Sequence, residues 1–265
     1  MSNLAVEYIE DFYNAQEDKE LFKHNRKRKR KAQAKNRQTL QLQDITPMTA
    51  NQRLAFAHYD NGDNILLHGV AGTGKTFLSM YLALEEIMQR DSIREKVVIV
   101  RSVVPTRDMG FLPGKEQEKT AVYEQPYKAI CSEIANRGDA YDLFKAKGMI
   151  EFISTSYIRG TTLDNAIVIV DECQNMTFHE LDSIITRVGV NTKILFCGDF
   201  RQTDLTKPYD QSGIKEFMKI LDNMHYFDKV EFDFEDIVRS SLVKDYIIAK
   251  ESCNEVYSQQ SIRNC

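Results

Sequence analysis

Short, almost continuously apolar runs alternate with longer amphipathic stretches through the middle of the chain. Six such runs are visible: NILLH, KVVIVR, IEFIST, AIVIVDE, KILFCGD and KVEFDF. Strands that are covered by helices on both faces are apolar at nearly every position, so these runs predict a buried, mostly parallel sheet. The stretches between them, such as TFLSMYLALEEIMQR, repeat apolar residues at helical spacing. The alternation predicts a three-layer α/β/α fold with a single core domain.

The polarity of the chain changes at both ends of this core. Residues 1–43 are polar and charged and include a basic arm, residues 23–37 (KHNRKRKRKAQAKNR), that contains no acidic residue. Such a block is expected to be flexible or marginally helical, and it either contacts nucleic-acid phosphates or is a solvated linker. We therefore expect a flexible N-terminal extension at 1–43, an α/β domain at 44–250 and a flexible polar tail at 251–265.

Composition restricts the class of protein. Of the 265 residues, 42% are hydrophobic and 28% are charged, with a formal net charge of -4, which is the profile of a soluble globular protein. No apolar run approaches the ~18 residues that a membrane span needs, and the first residues lack the layout of a signal peptide. We therefore expect a cytoplasmic protein without membrane contact. The cysteines are scattered and odd in number, which indicates reduced structural thiols: Cys131, Cys173, Cys197, Cys253 and Cys265.

The segment HGVAGTGKTFL follows the first predicted strand and matches the G-x-x-x-x-G-K-[ST] pattern in full. Its glycines allow backbone N–H groups to surround phosphate oxygens, and the following helix adds its positive end. Lys75 is expected to reach the β- and γ-phosphates of ATP, and the Thr76 hydroxyl to bind Mg2+. The predicted nucleotide-binding residues are Gly69, Val70, Ala71, Gly72, Thr73, Gly74, Lys75, Thr76 and Phe77.

Two adjacent acids end the run AIVIVDE. Hydrolysis needs a second anchor for the metal and a base for the attacking water, both at the end of a neighbouring strand. Asp171 fits the Mg2+ ligand, and Glu172 fits the general base. The alternative for such a pair is a solvated turn or a helix cap.

The run KILFCGD is followed by a glutamine at a short, defined distance, in CGDFRQTDL. The carboxyl end of this strand should open into the same crevice as the phosphate loop. Gln202, whose amide both donates and accepts, fits a γ-phosphate sensor. Asp199 either orients Gln202 or belongs to an ordinary strand-ending turn.

In the motifs GVAGTGKT, RSVVPTRDMGFLPGKEQEK, SYIRGTTLDNAIVIVDECQNMT, TRVG, GDFRQTDL, SGI and DIVRSSLV, the chain resembles the PhoH family. These ATPases are similar to the N-terminal motor domain of superfamily 1 helicases, so the resemblance implies a RecA-like P-loop NTPase that binds and hydrolyses ATP. It adds Gln52 as an adenine contact, with a surface glutamine as the alternative. It also adds nucleic-acid contacts, with ion pairs as the alternative for the arginines that follow a strand: Arg101, Thr106, Arg107, Tyr157 and Arg159.

Only about sixty residues follow Gln202, which we expect to be too few for a second motor domain. The arginine that contacts the γ-phosphate must then come from the C-terminal segment or from a neighbouring subunit. Arg239 is the first candidate, and Arg159 and Arg187 are weaker ones. A homo-oligomer, expected to be a hexameric ring, would let each subunit complete the next site.

Two functions remain open at this point. One is an ATP-driven motor acting on single-stranded RNA or DNA, and the other is an ATP-dependent switch or assembly factor whose partner is a protein. Polynucleotide should raise ATP turnover in the first case only. A nuclease is less favoured, because no histidine lies with acids in a metal-ligand pattern.

Overall fold

The computed structural model describes residues 40–103, 116–200 and 208–263. The basic arm, Thr106, Arg107 and Gln202 lie outside the described residues. The chain divides into two units, Met1–Gln41 and Leu42–Cys265, and the elements below belong to the second. The domain limits at 43/44 and 250/251 stay predictions.

Within the described part of the chain, helices and strands alternate as the apolar runs predict. The helices are α1 (Ala50–Asp60), α2 (Lys75–Met88), α3 (Glu116–Ile134), α4 (Ala140–Ala146), α5 (Phe178–Ile185), α6 (Pro208–Asp222) and α7 (Ser241–Arg263). The strands are β1 (Asn64–Gly69), β2 (Lys96–Arg101), β3 (Ile150–Ser154), β4 (Ala166–Asp171), β5 (Lys193–Gly198) and β6 (Phe227–Phe232).

The six strands form one sheet in the order β3-β2-β4-β5-β1-β6, and every pairing is parallel. All residues of the central strands β4 and β5 are buried, which explains their unbroken apolar sequences. Val168 and Val170 contribute to a core with α5 and α6, whereas Ile167 and Ile169, which alternate with them, are equally buried toward the other face. Both faces are therefore covered, and the predicted α/β fold with a parallel sheet is confirmed.

Because the strands are parallel, their carboxyl ends meet at one edge of the sheet, which we call the catalytic edge. The phosphate loop follows β1, and Asp199 follows β5. Of the acid pair, Asp171 is the last residue of β4 and Glu172 comes directly after it. Helix α5 begins at this edge with a capping box, in which Thr177 accepts from the Glu180 backbone and Glu180 accepts from the Thr177 backbone. The fold thus brings three predicted motifs to one crevice.

The three cysteines whose side chains are described, Cys131, Cys173 and Cys197, are buried and free. Burial raises the pKa of the Cys131 thiol to about 12, which keeps it protonated and unreactive at neutral pH. No helix among the described residues is both long and apolar enough to span a membrane.

Candidate nucleotide-binding site

The backbone of the phosphate loop depends on glycine at two positions. Gly69 has a φ of +115°, and a Cβ added there would lie 2.0 Å from the carbonyl oxygen of Phe232 on β6. Gly74 has a φ of +88° and forms the N-terminal cap of α2. A side chain at either position would strain the loop or displace a strand, so the loop shape is built into this part of the fold.

Lys75 lies inside the loop. Its Nζ donates to the carbonyl oxygens of Gly69 (2.9 Å) and Val70 (2.8 Å). Burial lowers the pKa of Lys75, while the carboxylate of Asp199 leads the groups that oppose this shift. The ammonium is thus held inside the loop by neutral carbonyl acceptors, which bind a cation less strongly than an anionic phosphate would.

The phosphate loop and the acid pair are joined directly. The Thr76 hydroxyl donates to Oδ1 of Asp171 at 2.7 Å, across 95 residues of sequence. Burial and then the charge of Glu172 raise the pKa of the Asp171 carboxyl. The Thr76 hydroxyl and the Asp171 carboxylate are oxygen ligands of the kind that Mg2+ prefers. A cation bound between them would also stabilise the ionised form of the buried Asp171 carboxyl.

Glu172 takes an unusual backbone conformation, with a φ of +53° in the left-handed region. Its Oε2 accepts from Nε2 of Gln174 at 2.6 Å, and Oε1 of Gln174 accepts from the Asp199 backbone N–H at 3.1 Å. A Cβ at Gly198 would lie 2.8 Å from that same Gln174 oxygen, so glycine in the Gly-Asp pair leaves room for the bridge. Gln174 links the predicted base to the next strand, although our sequence reasoning did not single it out.

Gln52 is only 4% exposed, so the alternative of a surface glutamine is wrong. Its Nε2 donates to the carbonyl oxygen of Thr73 in the phosphate loop (3.1 Å), and its Oε1 accepts from the Met48 backbone (2.8 Å). The buried Gln52 side chain therefore stabilises the phosphate loop through a hydrogen bond to its backbone. Its role as an adenine contact stays a prediction.

The segment that follows β6 packs against the phosphate loop. Val238 N donates to the carbonyl oxygen of Gly72 (3.2 Å), and buried Asp236 accepts from the Asn51 side chain (2.7 Å) near the start of α1. A Cβ added at Gly72 would lie 3.2 Å from Cγ of Arg239. The aliphatic part of Arg239 therefore lies beside the phosphate loop of its own chain.

Arg187 and Arg159 are the two weaker candidates for the arginine that contacts the γ-phosphate. Arg187 comes after α5, and its carbonyl oxygen accepts from the Leu163 backbone, ahead of β4. That position is at the opposite edge of the sheet from the phosphate loop. Arg159 is exposed beyond β3, at the catalytic edge.

Arg101 ends β2 in register with Asp171 of β4. Burial disfavours its charge, but Tyr127, Asp171 and Glu172 outweigh burial and raise the pKa of the guanidinium. The structure thus places Arg101 beside the acid pair, and its predicted contact with nucleic acid remains untested.

Tyr157 and Arg159 lie in and just after a short 3-10 turn, Thr155–Tyr157, which follows β3. The Tyr157 side chain is 56% exposed, and Arg159 lines a cavity of about 290 Å3 together with Thr155, Ser156, Glu180 and Ser183. Oε1 of Glu180 accepts from the hydroxyls of Ser102 and Thr155, and its Oε2 accepts from Thr177. Neighbouring donors thereby hold both oxygens of the Glu180 carboxylate, and the exposed Arg159 adds a cation to the lining of this cavity.

One sequence expectation about histidine is corrected. His58 Nδ1 lies 3.5 Å from Oδ2 of Asp63 and 3.3 Å from Oδ2 of Asp228, so a histidine does lie with two acids. These residues flank the amino-terminal ends of β1 and β6, at the edge opposite the phosphate loop. The contacts between His58 and the two carboxylates account for the cluster without a metal ion.

A glycine-dependent loop between β1 and α2, a lysine inside it, and a threonine hydrogen-bonded to a strand-end aspartate define a P-loop NTPase. The chain belongs to the PhoH family, because the family model for PhoH-like proteins matches residues 44–251. The PhoH family resemblance seen in the motifs is confirmed.

Several curated proteins are similar to this chain. A PhoH-like protein of Synechocystis sp. is 34% identical over 208 residues, covering 78% of this chain and 62% of that protein. A PhoH-like protein of Bacillus subtilis is 32% identical over 211 residues, covering 79% and 65%. Protein PhoH of Escherichia coli is 33% identical over 205 residues, covering 75% and 57%. The chain therefore spans about three fifths of the length of these relatives.

Solved structures show more distant similarity. The large terminase of a thermophilic bacteriophage has a TM-score of 0.48 at 14% identity, covering 76% of this chain and 50% of the terminase chain. The Pif1 helicase of Candida albicans has a TM-score of 0.36 at 16% identity, covering 75% and 43%.

Proposed function

We propose that this chain binds ATP with Mg2+ and hydrolyses it, and that hydrolysis is coupled to a single strand of RNA or DNA. The observation that carries the ATPase proposal is the 2.7 Å hydrogen bond from Thr76 to Asp171. This bond joins the phosphate loop to the strand-end acid at the position where a P-loop NTPase holds its metal.

Each residue has a defined role in this proposal. Loop N–H groups and Lys75 bind the β- and γ-phosphates, while Thr76 and Asp171 would hold Mg2+. When bound, Mg2+ neutralises charge on the transferring phosphoryl group. Glu172, oriented by Gln174, accepts the proton of the attacking water.

In this proposal, the loop after β5 detects whether the γ-phosphate is present. Asp199 is buried beside the crevice and is connected through its backbone to Gln174. Gln202, three residues further along, is proposed as the γ-phosphate sensor. A polar group at this strand end changes its partners when the γ-phosphate leaves, and the Asp199–Gln174 contact offers a route to the base.

The nucleic-acid part of the proposal rests on the surface beyond β3. Exposed Tyr157 offers a face for base stacking, and Arg159, which lines the cavity, offers a phosphate contact. Both lie at the catalytic edge, so a bound strand would run close to the ATP site. Thr106, Arg107 and the basic arm 23–37 are proposed as further contacts.

We expect ATP turnover of the full chain to rise when single-stranded RNA or DNA is added, and this rise to fall with increasing salt. Arg159→Ala should lower the ratio of stimulated to basal turnover and reduce the salt slope by about 1, because one phosphate contact is lost. Arg90→Ala is a matched control, since Arg90 is exposed beyond the far end of α2. Turnover that ignores polynucleotide would contradict the nucleic-acid proposal and favour a switch acting on a protein partner.

We further propose that Arg239 acts on the ATP bound to its own chain. Because its stem lies beside Gly72 of the same loop, Arg239→Ala should lower kcat about tenfold to a hundredfold, with a smaller effect on ATP binding. Mixing Arg239→Ala with a Lys75→Met variant should not restore turnover. Recovery in the mixture would show instead that Arg239 serves the site of a neighbouring subunit.

The proposed homo-oligomer, a hexameric ring, is a separate question. With Arg239 beside its own phosphate loop, a neighbour is not required to supply this arginine. Light scattering with ATP present tests the oligomer, and a monomer under those conditions would contradict it.

A further inference from the structure

A buried tyrosine holds the acid that we assign to the metal. Tyr127 on α3 has no exposed surface, and its hydroxyl donates to Oδ2 of Asp171 at 2.8 Å. The other oxygen of the same carboxylate, Oδ1, accepts from Thr76. The two oxygens of Asp171 therefore have different partners, one in the phosphate loop and one on a helix behind it.

The position of the Tyr127 hydroxyl is defined by packing. Its ring lies 5.9 Å, centroid to centroid, from Phe152 of β3. Arg101 ends the neighbouring strand β2 in register with Asp171, so its guanidinium is a further charged group on this side of the carboxylate. Because the ring is fully buried against Phe152 and its hydroxyl donates to a carboxylate, the donor has little freedom to move.

Geometry shows what this restraint does for Asp171. A carboxylate that rotates about its Cβ–Cγ bond exchanges its two oxygens, and a free one would sample several orientations. A donor on Oδ2 stops that rotation and directs Oδ1 toward Thr76. Outer hydrogen bonds that orient a metal-binding side chain typically contribute 10- to 100-fold to metal affinity.

We propose that Tyr127 is a positioning residue that orients the Asp171 carboxylate for the divalent cation of the nucleotide complex. This inference rests on the proposed function, in which Thr76 and Asp171 hold the metal. It adds a residue from α3 that lies outside every motif of the phosphate loop and the acid pair.

The chain provides a closely matched control for a purely structural role. Tyr141 on α4 is 1% exposed, and its hydroxyl donates to Oε2 of buried Glu124, also at 2.8 Å. Tyr141→Phe therefore removes a buried tyrosine–carboxylate hydrogen bond of the same length that involves neither Asp171 nor the phosphate loop. Any general cost of such a loss appears in both variants.

The experiment measures Mn2+ binding to the ADP complex of the full chain by electron paramagnetic resonance. Tyr127→Phe should weaken Mn2+ binding about 10- to 100-fold, and Tyr141→Phe should leave it within about twofold of the unaltered protein. Affinity for ADP in the presence of EDTA should be the same in all three proteins, because the lost bond acts on the metal ligand. Replacing Tyr127 by 4-aminophenylalanine, which keeps a donor at the same place, should restore Mn2+ affinity.

The variant Asp171→Asn tests the assignment of Asp171 to the metal separately from the role of Tyr127. If Asp171→Asn loses Mn2+ while Tyr127→Phe binds it as Tyr141→Phe does, the role of Tyr127 is overturned and the ATPase proposal stands. If Asp171→Asn keeps Mn2+ affinity, the metal assignment itself is overturned, and the role of Tyr127 with it. If circular dichroism shows Tyr127→Phe unfolded, the 4-aminophenylalanine protein decides, and weak Mn2+ binding there contradicts the inference.

Discussion

Glu172→Gln is expected to lower ATP turnover about 10²- to 10⁴-fold while nucleotide binding is retained, because an amide cannot accept the proton of the attacking water. The change keeps the size of the side chain. Its position is defined by the left-handed backbone and by the Gln174 contact, so misplacement of the chain should contribute little. Single-turnover hydrolysis and binding of a fluorescent ATP analogue measure the two effects separately.

Glu133→Gln is the control for this substitution. Glu133 is exposed on α3, and the same loss of one negative charge there should leave turnover unchanged. If Glu172→Gln hydrolyses ATP within tenfold of the unaltered protein, Glu172 is not the base. A polar group of the described crevice, Asp199 first, would then be the alternative.

Lys75→Met should have the other large effect, on both binding and turnover. The carbonyl oxygens of Gly69 and Val70 hold the ammonium, and we expect charged phosphate oxygens to replace them when ATP binds. A hydrogen bond to a charged group contributes about 1.5–3 kcal/mol, so ATP affinity should fall about 10- to 100-fold. A further loss of about 10²- to 10³-fold in kcat is expected, because this donor also faces the charge that develops in the transition state.

Lys96→Met makes the same change at the far edge of the sheet. Lys96 begins β2 and pairs with Glu151 on the surface, so nucleotide affinity should not change. Isothermal titration calorimetry with ATP measures both variants. Equal affinity in Lys75→Met and Lys96→Met would contradict the phosphate contact of Lys75.

Particular residues show where prediction from sequence succeeds in this chain. The strands and the phosphate loop were predictable, because apolar continuity and the glycine–lysine–threonine spacing are properties of adjacent residues. Gly69 illustrates the limit. The pattern requires a glycine there, but the reason in this chain, close approach to the Phe232 carbonyl oxygen, comes from a strand more than 150 residues later.

For other residues the sequence did not indicate the contacts that they make. Arg101 was assigned to nucleic acid through the family resemblance, which stays a prediction, and only the strand register shows that it lies opposite Asp171. The sequence around Gln52 fitted a surface residue as well as a binding-site residue. Only the packing of α1 against the phosphate loop shows that this side chain is buried. Tyr127 belongs to no motif, since a tyrosine in a polar helix is common and its partner is 44 residues away.

The sequence by itself determined that this chain has a parallel α/β core, a phosphate loop and an acid pair, because each depends on local patterns of polarity and spacing. The tertiary structure decided which side chains meet at that site: Thr76 and Tyr127 on the two oxygens of Asp171, Gln174 on Glu172, and Arg239 beside its own phosphate loop. The physical reason is that these contacts depend on strand order and register, which bring distant segments to one edge of the sheet, and no local pattern encodes that order.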